Sequence, residues 1–283
     1  MKYLITGASG QLGYDIINEL KKRKELDYLA PSSKEMNITD INKVKEIISN
    51  YKPDVIFHCA AYTSVDKAEE NKEICYDVNV NGTRNIAIAA KECNAKIIYI
   101  STDYVFDGTK DGTYTTEDKT NPINYYGYTK LCGEEIVKTL DDYLIVRISW
   151  VFGINGNNFI KTMLKLAESK NEISVVSDQI GSPTYTEDLS KLLLDMVKAG
   201  KRGTFHATNE GYCTWNEFAR YIFEVSGKEI TVNEILTKDY KTIAVRPLNS
   251  KLSKDKLDTE DLYRLPTWKD ATKRFCKVLR KEK

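Results

Sequence analysis

The chain has 283 residues, 41% hydrophobic and 29% charged, an ordinary soluble composition long enough for one large or two modest domains around a buried core. Its 42 basic and 41 acidic residues leave a formal net charge of +1, so no basic field is available for a nucleic-acid backbone. No apolar run approaches the ~20 residues of a membrane span, and Tyr3-Leu4-Ile5 is too short for a signal-peptide core.

Residues 2–6 read as a short buried strand that runs into Gly7-Ala8-Ser9-Gly10-Gln11-Leu12-Gly13. Leu12, Ile16, Ile17 and Leu20 then recur at helical spacing, and Lys21-Lys22-Arg23-Lys24 puts positive charge at the helix C-terminus. Strand, glycine-rich turn and helix are the context a dinucleotide site requires. The glycines allow close approach to a pyrophosphate, and the helix N-terminus offers free N–H groups and partial positive charge. The spacing is GxxGxxG rather than GxGxxG.

A second strand is expected at residues 28–30. No acidic residue stands near its end to hold a ribose 2′-hydroxyl; Pro31-Ser32-Ser33-Lys34 offers hydroxyls and a cation instead, which favours NADPH over NADH unless this is only a polar loop. Asn37-Ile38-Thr39-Asp40 opens a helix with Thr39 or Asp40 as N-cap and Ile41, Val44, Ile47 and Ile48 as its buried stripe. Val55-Ile56-Phe57-His58-Cys59 is a continuous apolar strand of the kind buried in a parallel sheet, with His58 as a satisfied core histidine. Ala60-Ala61 follow, small enough to let a cofactor lie close or simply to pack. Residues 65–69 begin a polar segment, a long helix is expected over 79–93, and a fourth strand over 96–100. This alternation implies an α/β fold with a doubly wound parallel sheet and ligands at the strands' carboxyl ends.

Ser101 through Gly108 leave the fourth strand, so Thr102 sits where ligands bind; its hydroxyl can donate to a carbonyl oxygen on which charge develops. Beyond a turn-rich tip at 108–112 and Asn121-Pro122, a helix reaching about residue 139 carries Tyr126-Gly127-Tyr128-Thr129-Lys130. A tyrosine and a lysine four apart share a helix face, where the ammonium favours the phenolate and pulls the tyrosine pKa down from about 10. A tyrosine so tuned can give or take a proton near neutral pH.

Residues 143–147 are expected as a sixth strand, after which the pattern loosens. Trp150 is placed either to stack on a sugar or base or to join the core. Helices are expected over 161–169, 187–199 and 215–225, a strand over 203–207, and an irregular binding loop over 178–184. Arg246 is either a fork for a diphosphate or a lone surface arginine. The tail from residue 273 is basic and reads as a frayed helix. Residues 1–150 are assigned to a dinucleotide-binding domain and 151–283 mainly to a substrate-binding lobe, with segments at about 185–210 returning to the first. Six scattered cysteines without a CxxC pair point to reduced thiols in a cytoplasmic protein, and the distant His58 and His206 argue against zinc.

These parts, in this order, resemble the extended short-chain dehydrogenase/reductase family. Finer motifs resemble its branch acting on dTDP-linked 4-keto-6-deoxysugars. They include Gly10-Gln11-Leu12-Gly13, Val65-Asp66-Lys67-Ala68-Glu69, Leu131 with Gly133-Glu134, and Arg147-Ile148-Ser149-Trp150-Val151-Phe152. Gly156-Asn157-Asn158-Phe159, residues 178–184 and Arg246-Pro247-Leu248-Asn249-Ser250 extend the likeness to about residue 250. The resemblance implies a Rossmann-type sheet with a smaller C-terminal substrate-binding lobe. It also implies a catalytic triad of Thr102, Tyr126 and Lys130, with Tyr126 exchanging the proton and Lys130 binding the nicotinamide ribose. Further cofactor contacts are implied for Gly7, Gly10, Gln11 and Leu12 in the turn, for Asn37 and Ile38, and for Ala60, Ala61 and Tyr62. Substrate contacts are implied for Val65, Asp66, Thr102, Asp103, Tyr104, Trp150, Asn158 and Arg246.

The reaction implied is reduction by NADPH or NADH of the 4-keto group of dTDP-4-dehydro-L-rhamnose to dTDP-L-rhamnose. Tyr104 stands where related sugar dehydratases carry a glutamate, so water elimination lacks its acid. The alternatives are a reductase of another nucleotide-linked 4-keto sugar and a non-catalytic NADP-binding regulatory subunit of a methionine adenosyltransferase. A monomer or homodimer is expected, with no nucleic-acid or membrane partner; some relatives form metal-bridged dimers, and Mg2+ stays open as a cofactor although no acidic cluster in the sequence supports it.

Overall fold

The main sheet is built from short, buried strands. β1 (Tyr3–Thr6), β2 (Tyr28–Leu29), β3 (Val55–His58), β4 (Lys96–Thr102) and β5 (Tyr143–Ile148) alternate with α1 (Gln11–Lys22), α2 (Ile41–Tyr51), α3 (Val65–Glu70), α4 (Lys72–Tyr76), α5 (Thr83–Cys93) and α6 (Tyr125–Val137). With the strand Gly203–His206 they form a six-stranded sheet, ordered 203–206, β5, β4, β3, β1, β2, and every neighbouring pair is parallel. The strand order reverses around β1, which opens a crevice at the carboxyl ends, so the fold is a Rossmann-type doubly wound α/β sheet. The structure, a computed structural model, describes residues 1–281; the last two residues of the basic tail lie outside the described residues.

Period-two alternation sorts the strand residues into two cores. Tyr3, Ile5, Phe57, Ile98, Leu144 and Val146 pack with α1 and the helix Thr186–Lys198. Leu4, Ile56, Ile97, Tyr99 and Ile145 pack with α2, α5 and α6. Local signals start the helices. Asp40 caps α2 by accepting from the backbone N–H groups of Asn42 (3.0 Å) and Lys43 (3.1 Å), and Asn124 caps α6 by accepting from that of Gly127 (2.8 Å). A third core, with Phe152, Ile160, Phe218, Phe223, Trp268 and Phe275, lies in the second half of the chain.

Several expectations are corrected. The helix expected from residue 79 begins at Lys72, because a π-helical stretch, Asp77–Gly82, joins α4 to α5. There Asn79 turns inward, accepting from the Tyr62 N–H (2.7 Å) and donating to its carbonyl (3.1 Å), which is the kind of local adjustment such stretches serve. β4 runs two residues further than expected, with Ser101 beside Arg147 and Thr102 beside Ile148, so Thr102 ends a strand rather than opening a loop. The segment expected as a sixth strand is the fifth, since four precede it in the chain. The loop expected at 178–184 contains the strand Ile180–Gly181, paired with Cys213–Thr214 and Asn249–Ser250. The tail is a helix, Trp268–Lys281, that buries Ala271, Phe275 and Cys276 rather than fraying. All six cysteines are free thiols. Among the described residues no helix is long and apolar enough to cross a membrane.

Candidate active site

The site begins where β1 and β3 end side by side. Thr6 Oγ1 accepts from the Ala60 N–H (3.1 Å) and meets His58 Nδ1 (2.8 Å), while His58 Nε2 meets Thr83 Oγ1 (3.1 Å). His58 is therefore a satisfied core histidine; burial, then the nearby Lys130 charge, holds its pKa down at about 3. Gly7 has φ +67°, and a Cβ there would lie 2.7 Å from the Ala60 nitrogen. A Cβ on Gly13 would lie 2.4 Å from the Gly7 carbonyl oxygen. The turn is thus pressed against backbone on both sides, and only glycine fits. α1 starts at Gly10 without a side-chain cap, which leaves its first N–H groups available to an anion.

A cavity of about 630 Å³ opens over this turn. Its floor is the turn itself, from Gly7 and Gly10 through Gln11 and Leu12. One wall carries Ser32, Ser33, Asn37 and Ile38; the other carries Ala60, Ala61 and Val65. At the far end stand Thr102, Asp103, Tyr104, Tyr126, Lys130 and Trp150. The topology therefore gathers residues spread from 7 to 150 at the carboxyl edge of one sheet.

Four residues expected here do not line the cavity. Tyr62 is held by its backbone to Asn79, as described above. Asn158 donates to Gln11 Oε1 (3.0 Å), which also accepts from the Gly153 N–H (2.8 Å). Gln11 and Asn158 thus tie the turn to the second half of the chain. Asp66 and Arg246 pair with each other: Nη1 donates to Oδ1 (3.1 Å) and Nη2 to Oδ2 (2.6 Å), and the Ala244 N–H adds a third bond to Oδ1 (3.0 Å). The guanidinium fork expected for a diphosphate is matched by a carboxylate 180 residues away in sequence. With Asn124 Nδ2 donating to the Val245 carbonyl (2.9 Å), this pair clasps residues 244–246 over α3 and α6.

Arg246→Met is expected to loosen that clasp, read as faster proteolysis between residues 236 and 248; cleavage at the wild-type rate would mean the pair holds nothing. The Arg246 hydrogen bond is the main cause holding the Asp66 carboxyl below its ordinary value. A lowered pKa means the clasp is intact above about pH 4 and is lost only as pH falls through that lowered value.

At the reactive end, Thr102 Oγ1 donates to Asp103 Oδ1 (3.0 Å) and accepts from the Tyr104 N–H (3.2 Å). Asp103 is buried, and its Oδ2 has no hydrogen-bond partner among the described residues. Burial pushes its carboxyl up to about 6, against hydrogen bonds from Ser250 and Thr102. The Tyr104 ring meets the Tyr126 ring edge-on, with centroids 5.7 Å apart. Lys130 Nζ sits 4.0 Å above the Tyr99 ring centroid, and the Tyr99 hydroxyl donates to the Lys130 carbonyl (3.2 Å).

The Tyr126 pKa lies above its ordinary value, not below it as expected from Lys130. Burial, and next the Asp103 charge, push the Tyr126 phenol well above its ordinary value, while Thr102 opposes weakly. Burial also pushes Lys130 down, to about 7. In this dry site desolvation is the largest cause for both groups. Trp150, at φ +48°, is strained for a bulky residue and stacks on Trp215 at 3.7 Å while also lining the cavity. Trp150 thus packs against the third core and also lines the cavity.

Cys59, Thr63, Met36, Val78 and Ser149 also line the cavity and had not been singled out as site residues. The rule that ligands sit at strand carboxyl ends could have found Cys59 and Ser149, each one residue past a strand. Met36 and Val78 arrive through tertiary packing alone. No group of three or more His, Cys, Asp or Glu able to hold a metal occurs among the described residues.

Comparison with known proteins places this geometry in context. A family model described as RmlD substrate binding domain matches residues 1–281. The chain is 41% identical to a dTDP-4-dehydrorhamnose reductase of Aggregatibacter actinomycetemcomitans, over 96% of this chain and 97% of that one. It is 39% identical to the spore coat polysaccharide biosynthesis protein SpsK of Bacillus subtilis, over 97% of this chain and 96% of that one. A crystal structure of dTDP-4-dehydrorhamnose reductase from Bacillus anthracis in complex with NADP superposes with a TM-score of 0.94 at 41% identity, covering 97% of this chain and 99% of that one.

Proposed function

Because the chain belongs to the RmlD substrate binding domain family, we propose that it is an NAD(P)H-dependent reductase that converts dTDP-4-dehydro-L-rhamnose to dTDP-L-rhamnose. The observation that carries this reading is one cavity with a glycine turn as its floor and Thr102, Tyr126 and Lys130 at its end. The chain fits a nicotinamide dinucleotide: Gly7 and Gly13 let the turn pack closely against Ala60 and against itself, forming the cavity floor, and the uncapped start of α1 leaves N–H groups for a pyrophosphate. Ser32 and Ser33 line the ribose end without a carboxylate among them, which suits the 2′-phosphate of NADPH.

Once bound, a reduced nicotinamide supplies the hydride for C4 of the sugar. The chain's own residues handle the proton. Tyr126, held as the neutral phenol by burial, is in the correct state to protonate the oxygen developing at C4. Lys130 holds the cofactor ribose and compensates the phenolate that remains. Thr102 has one hydroxyl proton, now directed at Asp103, and turning it to the C4 oxygen exchanges one hydrogen bond for another as charge develops there. Asp103 Oδ2, buried and without a partner, is an acceptor for a sugar hydroxyl. Tyr104 has no acid to offer an elimination, so reduction is the reaction this set of groups supports.

We assign the cofactor to residues 1–150 and the sugar mainly to residues 151–283, with about 185–210 grouped with the first, because 203–206 joins the main sheet. We expect the enzyme to act in the cytoplasm as a monomer or homodimer.

The test is oxidation of NADPH or NADH, followed by absorbance, with dTDP-4-dehydro-L-rhamnose as substrate and dTDP-L-rhamnose identified as product. Tight NADPH binding without oxidation would defeat the substrate assignment and direct the search to other nucleotide-linked 4-keto sugars. A second expectation concerns cofactor choice. Ser33→Asp should weaken NADPH by about tenfold or more, since like charges are brought together, and leave NADH at least as well bound. Equal loss for both cofactors would remove Ser33 from the 2′-phosphate site.

A further inference from the structure

We propose that Glu134 is a positioning residue for Lys130, acting as the fixed counter-charge that keeps its ammonium protonated in the buried site. The inference rests on the reading of Lys130 as the cofactor-binding lysine. Tyr126, Lys130 and Glu134 are spaced four apart on α6 and form one stripe on one helix face. Glu134 is fully buried, and three donors hold it: Ser101 Oγ to Oε1 (2.5 Å), Arg147 Nε to Oε1 (2.9 Å) and Arg147 Nη2 to Oε2 (2.7 Å). Ser101 and Arg147 face each other in the β4–β5 register, next to Thr102. The carboxylate is therefore locked from two strands and one helix, directly behind the reactive end of the cavity.

Stability alone does not account for this unit. Burying an ion pair often gains nothing over apolar packing, and here Arg147 Nη1 is left without a partner among the described residues. A partly satisfied buried network is a destabilising arrangement unless something else requires it. Lys130 does require it. Its surroundings are the Tyr99 ring from β4, the Cys59 and Cys75 thiols and His58 on β3, with Tyr126 four residues before it on α6. His58 is held neutral, Tyr126 is held as the phenol, and burial pushes both thiols up. Glu134, paired with Arg147, is the carboxylate on the helix face of Lys130, and it is the leading influence raising Lys130 against the desolvation that holds it near 7. Arg147 holds Glu134 in place through both carboxylate oxygens.

The sign follows directly. Removing the negative charge lowers the lysine pKa, so Lys130 loses its proton at lower pH and the cofactor loses a cation. The experiment measures NADPH affinity by fluorescence from pH 5 to 10 in wild type, Glu134→Gln, Glu134→Asp and Ser101→Ala, with the pH profile of turnover alongside. Glu134→Gln is expected to move the alkaline loss of NADPH affinity down by about one pH unit or more, the usual effect of one nearby charge. Glu134→Asp, which keeps the charge but draws it back, should move it in the same direction by less. Ser101→Ala removes a hydrogen bond and no charge, and should leave the midpoint in place. A Glu134→Gln profile lowered at every pH with its midpoint unmoved would overturn the proposal and make the unit purely structural. If that variant does not fold, an Glu134→Asp midpoint identical to wild type overturns it instead. Because NADPH binding is read without any sugar, failure of the substrate assignment leaves this test standing.

Discussion

Tyr126→Phe lowers kcat for dTDP-4-dehydro-L-rhamnose by about 10²–10⁴-fold, the contribution of one positioned general acid, and leaves NADPH affinity near wild type. The substitution removes one oxygen and keeps the ring, so the edge-on contact with Tyr104 and the start of α6 persist. What disappears is the proton donor. Burial, and next Asp103, hold the Tyr126 proton in place until charge develops on the substrate. Turnover in Tyr126→Phe within a few-fold of wild type would remove this residue from its role.

Gly127→Ala, one residue along, is expected to cost about 100-fold in kcat and to lower Tm. Alanine is the better helix former, and in an exposed helix the change would stabilise by about 1 kcal/mol. Here the new Cβ would stand 2.2 Å from the Tyr104 carbonyl oxygen and 2.9 Å from its carbonyl carbon. Neither is the end of a flexible side chain, so the first turn of α6 must move off β4's end by about 1 Å, and displacements of that size cost about 10² in rate. Tyr126 and Lys130 move with it, while Thr102 and Asp103 do not. An alanine variant with higher Tm and unchanged kcat would show that α6 is not held against Tyr104 in this way.

The two predictions mark where sequence reasoning reaches and where it stops. The strand, turn and helix from residue 3 to residue 22 were legible because glycine placement and helical periodicity are local. So was the pairing of Tyr126 with Lys130, which needs only helical spacing. The direction of the Tyr126 pKa was not legible, because it depends on how dry the site is and not on which residue lies four positions on. Asp66 and Arg246 were both read as substrate contacts, yet they bond to each other. Nothing local in residues 66 or 246 announces a partner 180 positions away. Gln11 and Asn158 were likewise separated by 147 positions. The early start of the helix before residue 79 escaped because the π-helical stretch is set by Asn79 reaching the backbone of residue 62, a tertiary demand. The buried Ser101–Glu134–Arg147 unit has the same character: its three members come from two strands and a helix, and each alone reads as an ordinary polar residue.

The most direct test of the central claim, that this chain reduces C4 of a dTDP-linked sugar with Tyr126 as proton donor, is to follow the hydrogen itself. Wild type and Tyr126→Phe are supplied with deuterated NADPH and dTDP-4-dehydro-L-rhamnose in ordinary water, and the product is analysed by NMR. The account predicts dTDP-L-rhamnose carrying one deuterium at C4 from the wild type, and almost none of that product from the variant in the same time. Product without deuterium at C4, or equal labelling rates in the two proteins, would contradict it.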